Sequence, residues 1–196
     1  MIKKTFVVLL LVLLALGLIG CNNGSKDLPI STIRWELGSD GFTQFYTNDS
    51  QNCNFSFFTQ YDNNKSNTYE IEAKKMSGYK NINFGMVFGA SDKDNFYALL
   101  ITLTGYYKVQ KKIGGNYSEI IEWTSTDRLY SRYNELNTLK VTKSGSSYTI
   151  FLNGSQVNQF NDSSLSGDKI GFFVGVSSEI NEDFPNSLVD VRFRRK

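Results

Sequence analysis

The chain of 196 residues contains no histidine, only two cysteines and only two prolines. The lack of histidine excludes Ser-His-Asp and Cys-His catalysis, the two-histidine-one-carboxylate iron site and the usual zinc sites. An enzyme made from this chain would have to use carboxylates, tyrosine, lysine, arginine or a metal held by oxygen ligands. Few prolines beside many aromatic residues and Gly, Asn and Ser turns favour a folded all-β body over a disordered stalk.

The first cysteine, Cys21, ends an apolar run that begins at Phe6. Lys3 and Lys4 precede the run and the small residue Gly20 closes it, which is the layout of a secretory signal peptide. The run is too short to span a bilayer, which takes about 20 apolar residues. The sequence LIGC resembles the lipobox of bacterial lipoproteins. That resemblance implies that the cysteine carries the lipid and that the chain is cut before it.

The lipobox divides the chain into three parts. Residues 1–20 are predicted to be the signal peptide, residues 21–30 the lipidated cysteine with a flexible tether, and residues 31–196 a β-sandwich domain. Two or three acyl chains on Cys21 would anchor that domain stably in the bacterial cell envelope, at the outer membrane or cell surface rather than the inner membrane. Cys53 would then have no disulfide partner and is expected to be a small buried hydrophobe. The alternative is an incidental cysteine near an ordinary cleavage site.

Charge on the mature chain is balanced. Removing residues 1–20 takes Lys3 and Lys4 from the 21 basic residues and nothing from the 19 acidic ones, which leaves 19 of each sign. Nucleic-acid binding needs clustered Lys and Arg. The sequence therefore predicts no nucleic-acid partner.

Short apolar or alternating segments, separated by turn residues, recur from residue 30 onward, which is typical of a sandwich or barrel. The predicted β-strands are Thr32–Leu37, Phe42–Thr47, Asn54–Gln60, Thr68–Lys75, Ile82–Ala90, Asn95–Leu103, Tyr106–Lys112, Ser118–Trp123, Thr138–Lys143, Ser147–Leu152, Gln156–Phe160, Lys169–Val176 and Leu188–Arg194.

Two of these strands are joined by the dipeptide Asn153–Gly154, which tolerates the positive φ of a type I′ hairpin turn. That turn predicts Leu152 opposite Ser155 and Ile150 opposite Val157. The chain ends in RFRRK, where charged and apolar residues alternate. This pattern predicts a charged edge strand that discourages aggregation. Contact with anionic lipid headgroups is the alternative.

The predicted strand Asn95–Leu103 is apolar on both faces, with Tyr97, Leu99, Ile101 and Leu103 on one and Phe96, Ala98 and Leu100 on the other. Such strands are central and covered on both sides. A two-sheet sandwich covers only one face of a central strand. Long loops, a curved concave surface or a ligand must therefore shield the other.

The motifs between Thr68 and Phe193 follow a familiar order: INFGMVFGASDKDNFYALLI, GYYKVQKKIGGNYSEIIEWT, NTLKV, YTIFLNGSQV and DKIGFFVGV. This order resembles the jelly-roll domains of the concanavalin A-like lectin and glucanase superfamily, nearest a bacterial branch with keto-glycoside hydrolase-type and laminin G-like modules. The resemblance implies two curved antiparallel sheets and a concave face that binds ligands, often glycans. The connection STDRLYSRYNELNTL departs from the usual pattern.

Aromatic residues are the candidate ligand-binding side chains, because their rings stack on the apolar faces of sugars while their polar tips bond to hydroxyls. The five candidates are Tyr97, Tyr106, Tyr107, Trp123 and Tyr130. The alternative is that these rings fill the core of the sandwich.

Acidic residues suggest two further sites. Asp92, Asp94 and Asn95 place oxygens at alternate positions, as in calcium sites, although calcium takes six to eight oxygens and a tight turn selects the same residues. Glu70 and Glu72 share a strand face, as paired catalytic carboxylates do, but the third acidic residue of the glucanase motif is missing. A solvated strand face explains the pair, so no catalytic residue is assigned. Calcium is the only cofactor that the sequence suggests.

The sequence predicts an all-β, two-sheet antiparallel jelly-roll sandwich on a lipid anchor. Its predicted function is glycan binding on a concave aromatic face. The first alternative is a lipoprotein without catalytic activity that docks another envelope or host protein. The second is a hydrolase that acts on glycosides. Fold alone does not separate these functions.

Overall fold

The computed structural model describes residues 34–47, 67–175 and 189–196. Twelve strands lie in these ranges: β1 (Arg34–Leu37), β2 (Thr43–Thr47), β3 (Thr68–Ser77), β4 (Asn83–Asp92), β5 (Asn95–Ile101), β6 (Tyr106–Ile113), β7 (Asn116–Ser125), β8 (Asn137–Ser144), β9 (Ser147–Leu152), β10 (Ser155–Asn161), β11 (Lys169–Gly175) and β12 (Val189–Arg195). Each begins and ends within two residues of a predicted strand. The predicted strand Asn54–Gln60, the predicted signal peptide with Cys21, and Cys53 lie outside the described residues.

The strands form two antiparallel sheets. The seven-stranded sheet has the order β1-β2-β12-β3-β8-β9-β10, and the five-stranded sheet has the order β11-β4-β5-β6-β7. Within the ranges that the structure describes, no α-helical segment has the length and hydropathy of a transmembrane span. The predicted all-β, two-sheet antiparallel architecture is confirmed.

The main core lies between the sheets, because alternate residues of each strand point to the same side. Ile71, Leu139 and Ile150 come from the seven-stranded sheet and are fully buried. Phe84 and Leu99 meet them from the five-stranded sheet and are fully buried as well.

A second buried cluster lies on the face of the five-stranded sheet that points away from the main core, which we call the outer face. Its members are Val87, Ala90, Phe96, Ala98, Leu100 and Phe173. They alternate along β4, β5 and β11 with the residues of the main core. The predicted two-sided burial of the strand at 95–103 is thereby confirmed.

Two expectations about strand placement are wrong. Leu152 does face Ser155 across the Asn153–Gly154 turn, but a bulge at Val157 places Asn158, not Val157, opposite Ile150. The second error concerns the C-terminal strand. β12 pairs with both β2 and β3 and is therefore an inner strand, not a charged edge.

Arg194 of β12 and Lys196, the residue after the strand, both pair with the carboxylate of Glu72. The guanidinium of Arg194 donates to the carboxylate of Glu72, with Nε 2.9 Å from Oε2, and Lys196 Nζ lies 3.0 Å from Oε1. Burial alone would raise the pKa of Glu72, but these two cations outweigh it and lower that pKa. The predicted solvated strand face is therefore wrong for Glu72, which is buried, and its carboxylate is held in ion pairs with Arg194 and Lys196.

Candidate functional site

The candidate site lies on the outer face of the five-stranded sheet, along β6 and β7. In β6, Tyr107 and Val109 point into the main core. Alternation therefore directs the other residues of the strand outward: Tyr106, Lys108, Gln110 and Lys112. Opposite them, β7 is the edge strand of the sheet.

Two bulges in β7 decide which of its side chains reach the outer face. The register shifts between Val109 and Gln110 and again between Tyr107 and Val109, so β7 has one extra residue at each place. The first shift lets the consecutive residues Ile120 and Ile121 both pack against the main core. The second lies beside Trp123, which faces the same side as Lys108. Bulges commonly redirect side chains next to functional sites.

Lys108 connects β6 to two side chains of β7. Its ammonium nitrogen lies 5.1 Å from the centre of the Trp123 ring, within the range of a cation–π interaction. The same nitrogen lies 3.2 Å from Oε1 of Glu119. The indole is exposed while these contacts hold it against the sheet.

Lys112 repeats this arrangement toward the other end of β6. Its ammonium lies 5.3 Å from the centre of the Tyr117 ring and 3.0 Å from Oδ1 of Asp94. The Tyr117 ring also meets Phe96 edge to face, at 6.2 Å between centroids. The exposed part of the outer face thus borders the buried apolar cluster of β4, β5 and β11.

Three exposed aromatic rings follow one another along this surface, which we call the β6–β7 row. Tyr106 is the first, Trp123 lies beside Lys108, and Tyr117 lies beside Lys112. From Tyr106 to Lys112 the strand advances about 20 Å at the usual rise per residue. The β6–β7 row can therefore contact several consecutive units of an extended ligand.

Two of the five predicted ligand-binding residues lie in the main core and not on the surface. Tyr97 and Tyr107 lie between the sheets and are essentially inaccessible. A surface ligand cannot stack on either ring, so both residues fill the core, as the alternative interpretation predicts. Tyr97 packs 5.2 Å from Tyr148 and 5.4 Å from Phe88, measured between ring centroids.

The hydroxyl of Tyr97 is buried together with its hydrogen-bond partners, which compensate for its loss of contact with water. It donates to Oδ1 of Asp162 at 2.8 Å and accepts from the amide of Leu165 at 3.2 Å. Lys111 Nζ lies 2.7 Å from Oδ2 of the same carboxylate. Burial and the bond to Asp162 raise the pKa of Tyr97. Burial would raise the pKa of Asp162 too, but the bonds from Lys111, Ser164 and Tyr97 hold it below its usual range.

The predicted residue Tyr130 is exposed on the connection between β7 and β8. Its amide donates to Oδ1 of Asn137 at 2.9 Å, and its carbonyl accepts from Nδ2 of Asn137 at 3.0 Å. The connection begins at Thr126, whose amide donates to the carbonyl of Gly105 at 2.9 Å. Tyr130 is therefore anchored on a loop that starts next to the first residue of the β6–β7 row.

The residues considered for calcium serve the turn between β4 and β5. Oδ1 of Asp92 accepts from the amide of Asp94 at 2.8 Å and from Nδ2 of Asn95 at 2.9 Å, and these bonds lower the pKa of Asp92. Asp94 pairs with Lys112, and Oδ1 of Asn95 accepts from the amide of Gly114 at 3.0 Å. Within the described ranges, no group of three acidic, cysteine or histidine residues could hold a metal ion. These contacts favour the turn interpretation.

One buried cation lies away from the β6–β7 row. Lys75 of β3 is fully buried, and its ammonium donates to the carbonyl oxygens of Tyr79 and Ile82. Burial lowers the pKa of Lys75 to about 7. A neutral amine still has two N–H groups for these two carbonyls, so the loop at 78–82 keeps its contacts in either protonation state.

The sequence identified Tyr106 and Trp123 but missed Lys108, Glu119, Lys112 and Tyr117. Lys108 and Lys112 are four residues apart on β6, Tyr117 and Glu119 are two residues apart on β7, and Lys112 is paired with Tyr117. That spacing was available as a signal. No pattern in the sequence indicates the bulges that bring Trp123 over Lys108.

No protein-family model matches the chain, and no curated protein matches it. Solved structures do. The carbohydrate-binding module CBM66 from Bacillus subtilis is 19% identical, with a TM-score of 0.52 over 82% of this chain and 91% of that one. A variant of alginate lyase A1-II′ is 10% identical, with a TM-score of 0.52 over 81% of this chain and 79% of that one. Alginate lyase AlgAT5 of polysaccharide lyase family 7 is 14% identical, with a TM-score of 0.50 over 83% and 82%. The chain is a jelly-roll β-sandwich, as predicted.

Proposed function

We propose that this protein binds glycans along the β6–β7 row. The observation that carries the proposal is the alignment of exposed Tyr106 and Trp123 on one face, with the Lys108–Glu119 ion pair beside Trp123. Aromatic rings contact the C–H faces of sugars, and an exposed polar group beside them, here the Glu119 carboxylate, bonds to the hydroxyls. The likeness in fold to a carbohydrate-binding module supports the same function.

The alternative of protein docking predicts a flat apolar patch with a polar rim. On the β6–β7 row, charged pairs lie beside the rings instead, Lys108–Glu119 beside Trp123 and Lys112–Asp94 beside Tyr117. Polar groups interspersed with aromatic rings suit a ligand that is itself apolar on its faces and polar at its edges. We therefore favour a glycan over a protein as the ligand.

A glycan array screened with the full chain tests this function. Wild type is expected to bind a restricted set of glycans, and a Tyr106→Ala/Trp123→Ala double variant is expected to lose that binding. Phe151→Ala is the matched control, because Phe151 lies on the outer side of the other sheet with Lys140 Nζ 4.5 Å from its ring centre. Circular dichroism checks that each variant folds. Well-folded wild type that binds no glycan would refute the proposal.

We also propose that Cys21 anchors this domain in the bacterial cell envelope through lipid. The proposal rests on the LIGC sequence and the charged and apolar residues before it. Growth of the expressing bacterium with labelled palmitate is expected to label the wild-type chain and not a Cys21→Ala variant. Equal labelling of both would overturn the anchor.

A further inference from the structure

The two ion pairs of the β6–β7 row differ in how their partners meet solvent. The side chain of Lys108 is 13% exposed and that of Glu119 is 45% exposed. The side chain of Lys112 is 14% exposed and that of Asp94 is 42% exposed. In both pairs the cation is shielded and the carboxylate faces outward.

Shielding of the cations follows from their other contacts. Lys108 lies over Trp123, and Lys112 lies near both Tyr117 and Phe96. Long lysine stems pack along apolar surface in this way and leave only the ammonium to a partner. An incoming ligand therefore meets the carboxylates and the rings before it meets an ammonium.

We propose that the glycan bound along the β6–β7 row is neutral, and that its hydroxyls donate hydrogen bonds to Glu119 and Asp94. This inference rests on the proposed function. A carboxylate is an acceptor only, and bonds from neutral hydroxyls to an ionised acceptor are short and strong. A uronic acid would instead place its own carboxylate beside Glu119 or Asp94, and like charges placed together across an interface are strongly unfavourable.

The length of the row adds a second requirement. Lys108 and Lys112 are four residues apart on one strand, about 13 Å at the usual rise. One monosaccharide cannot reach both ion pairs. The inferred ligand is a neutral oligosaccharide or polysaccharide chain rather than a single sugar.

Matched probes test this inference on the full chain by isothermal titration calorimetry. Each neutral hexasaccharide is compared with the hexauronate of the same linkage: glucan with glucuronan, mannan with mannuronan, galactan with galacturonan. Wild type is expected to bind at least one neutral member, to bind its uronate partner at least about tenfold more weakly, and to keep its affinity at high salt. The corresponding monosaccharide is expected to bind far more weakly than the hexamer.

The variant Glu119→Gln keeps the size of the side chain and removes its negative charge. It is expected to weaken binding of the neutral hexamer by about tenfold, the effect of one charge-assisted hydrogen bond, and to reduce discrimination against the uronate. Glu70→Gln, on the other sheet, is expected to change neither.

The outcomes separate the inference from the proposed function. Preference for a uronate that weakens steeply with salt and disappears in Trp123→Ala would overturn the neutral ligand while the glycan site stands. Binding that persists in Trp123→Ala would place the glycan elsewhere and overturn both. Absence of binding to every probe would also overturn both.

Discussion

Lys108 holds its ammonium 5.1 Å from the centre of the Trp123 ring while pairing with Glu119 at 3.2 Å. A mobile surface indole would lose conformational freedom when a ligand binds, and that loss opposes binding. The contact with Lys108 fixes the ring beforehand. Lys108 is thus a positioning residue for the aromatic surface rather than a ligand for the glycan.

Replacing Lys108 with Met is expected to weaken glycan binding through the orientation of Trp123. The free energy of unfolding should fall by about 1 kcal/mol, the scale of an exposed cation–π contact and surface ion pair. Chemical denaturation and calorimetric titration measure the two effects. Lys140→Met removes the similar contact with Phe151. It should cost similar stability and leave binding unchanged, and a loss of binding there would contradict the role of Lys108.

The lowered pKa of the buried Lys75 predicts that the free energy of unfolding rises with pH. Burial lowers its pKa from 10.5 to about 7 in the folded chain, so the unfolded chain binds more protons between these values. The free energy of unfolding should therefore rise through pH 7 to 9.5, with a slope approaching about 1.4 kcal/mol per pH unit. Urea denaturation at several pH values measures it.

The control for Lys75 is its neighbour Lys74, whose ammonium lies on the other side of the sheet over the Phe42 ring. Lys75→Met should remove the rise in stability relative to wild type, and Lys74→Met should keep it. Parallel profiles for wild type and Lys75→Met would show that the buried lysine does not titrate in this range.

The lowered pKa of Asp162 predicts that the free energy of unfolding falls at acid pH. Its pKa is held below the ordinary 3.8, so its contribution to stability is present above that value and is lost as the pH falls below it. Asp162→Asn should lower the free energy of unfolding at pH 7 by about 1–3 kcal/mol, because Tyr97 and Lys111 lose a charged acceptor. The difference from wild type should narrow below pH 4.

Asp168→Asn is the matched control in the same loop, since Asp168 is exposed. It should leave the stability at pH 7 within about 0.5 kcal/mol of wild type. A double-mutant cycle of Asp162→Asn with Tyr97→Phe should show coupling. Additive losses would mean that the Tyr97–Asp162 bond contributes nothing.

Asn153 has two roles, of which the sequence predicted one. It has a φ of 47° in the hairpin turn, as expected. Its side chain also accepts from the amide of Thr138 at 2.7 Å and donates to the carbonyl of Arg128 at 2.7 Å, which holds the connection that carries Tyr130. Asn153→Gly keeps the turn and removes these bonds. Faster amide exchange at 126–136 is expected, and unchanged exchange would deny the second role.

The alternation of apolar and polar residues, together with the turn residues, was enough to predict the strands, because both signals depend only on residues close together in the sequence. The face of β5 that enters the main core could not be predicted, since both faces are apolar. Tyr97 shares a face with Leu99, and that face proved to be the core. Burial of the Tyr97 hydroxyl depends on its hydrogen bond to Asp162, which is 65 residues away in sequence.

Bulges were the other source of error. One extra residue moves every later side chain of a strand to the opposite face, and composition does not reveal it. The bulge at Val157 changed a predicted pair in the hairpin, and those in β7 placed Trp123 beside Lys108. The inner position of β12 depends on long-range pairing with β2 and β3, which no local pattern specifies.

Tryptophan fluorescence in a Trp35→Phe background reports directly on glycan contact with the β6–β7 row, because Trp123 is then the only indole in the chain. Titration with a glycan selected on the array is expected to change the emission of Trp123 saturably, with the dissociation constant found by calorimetry. The same glycan binding with equal affinity and no change in Trp123 emission would contradict a site on the β6–β7 row.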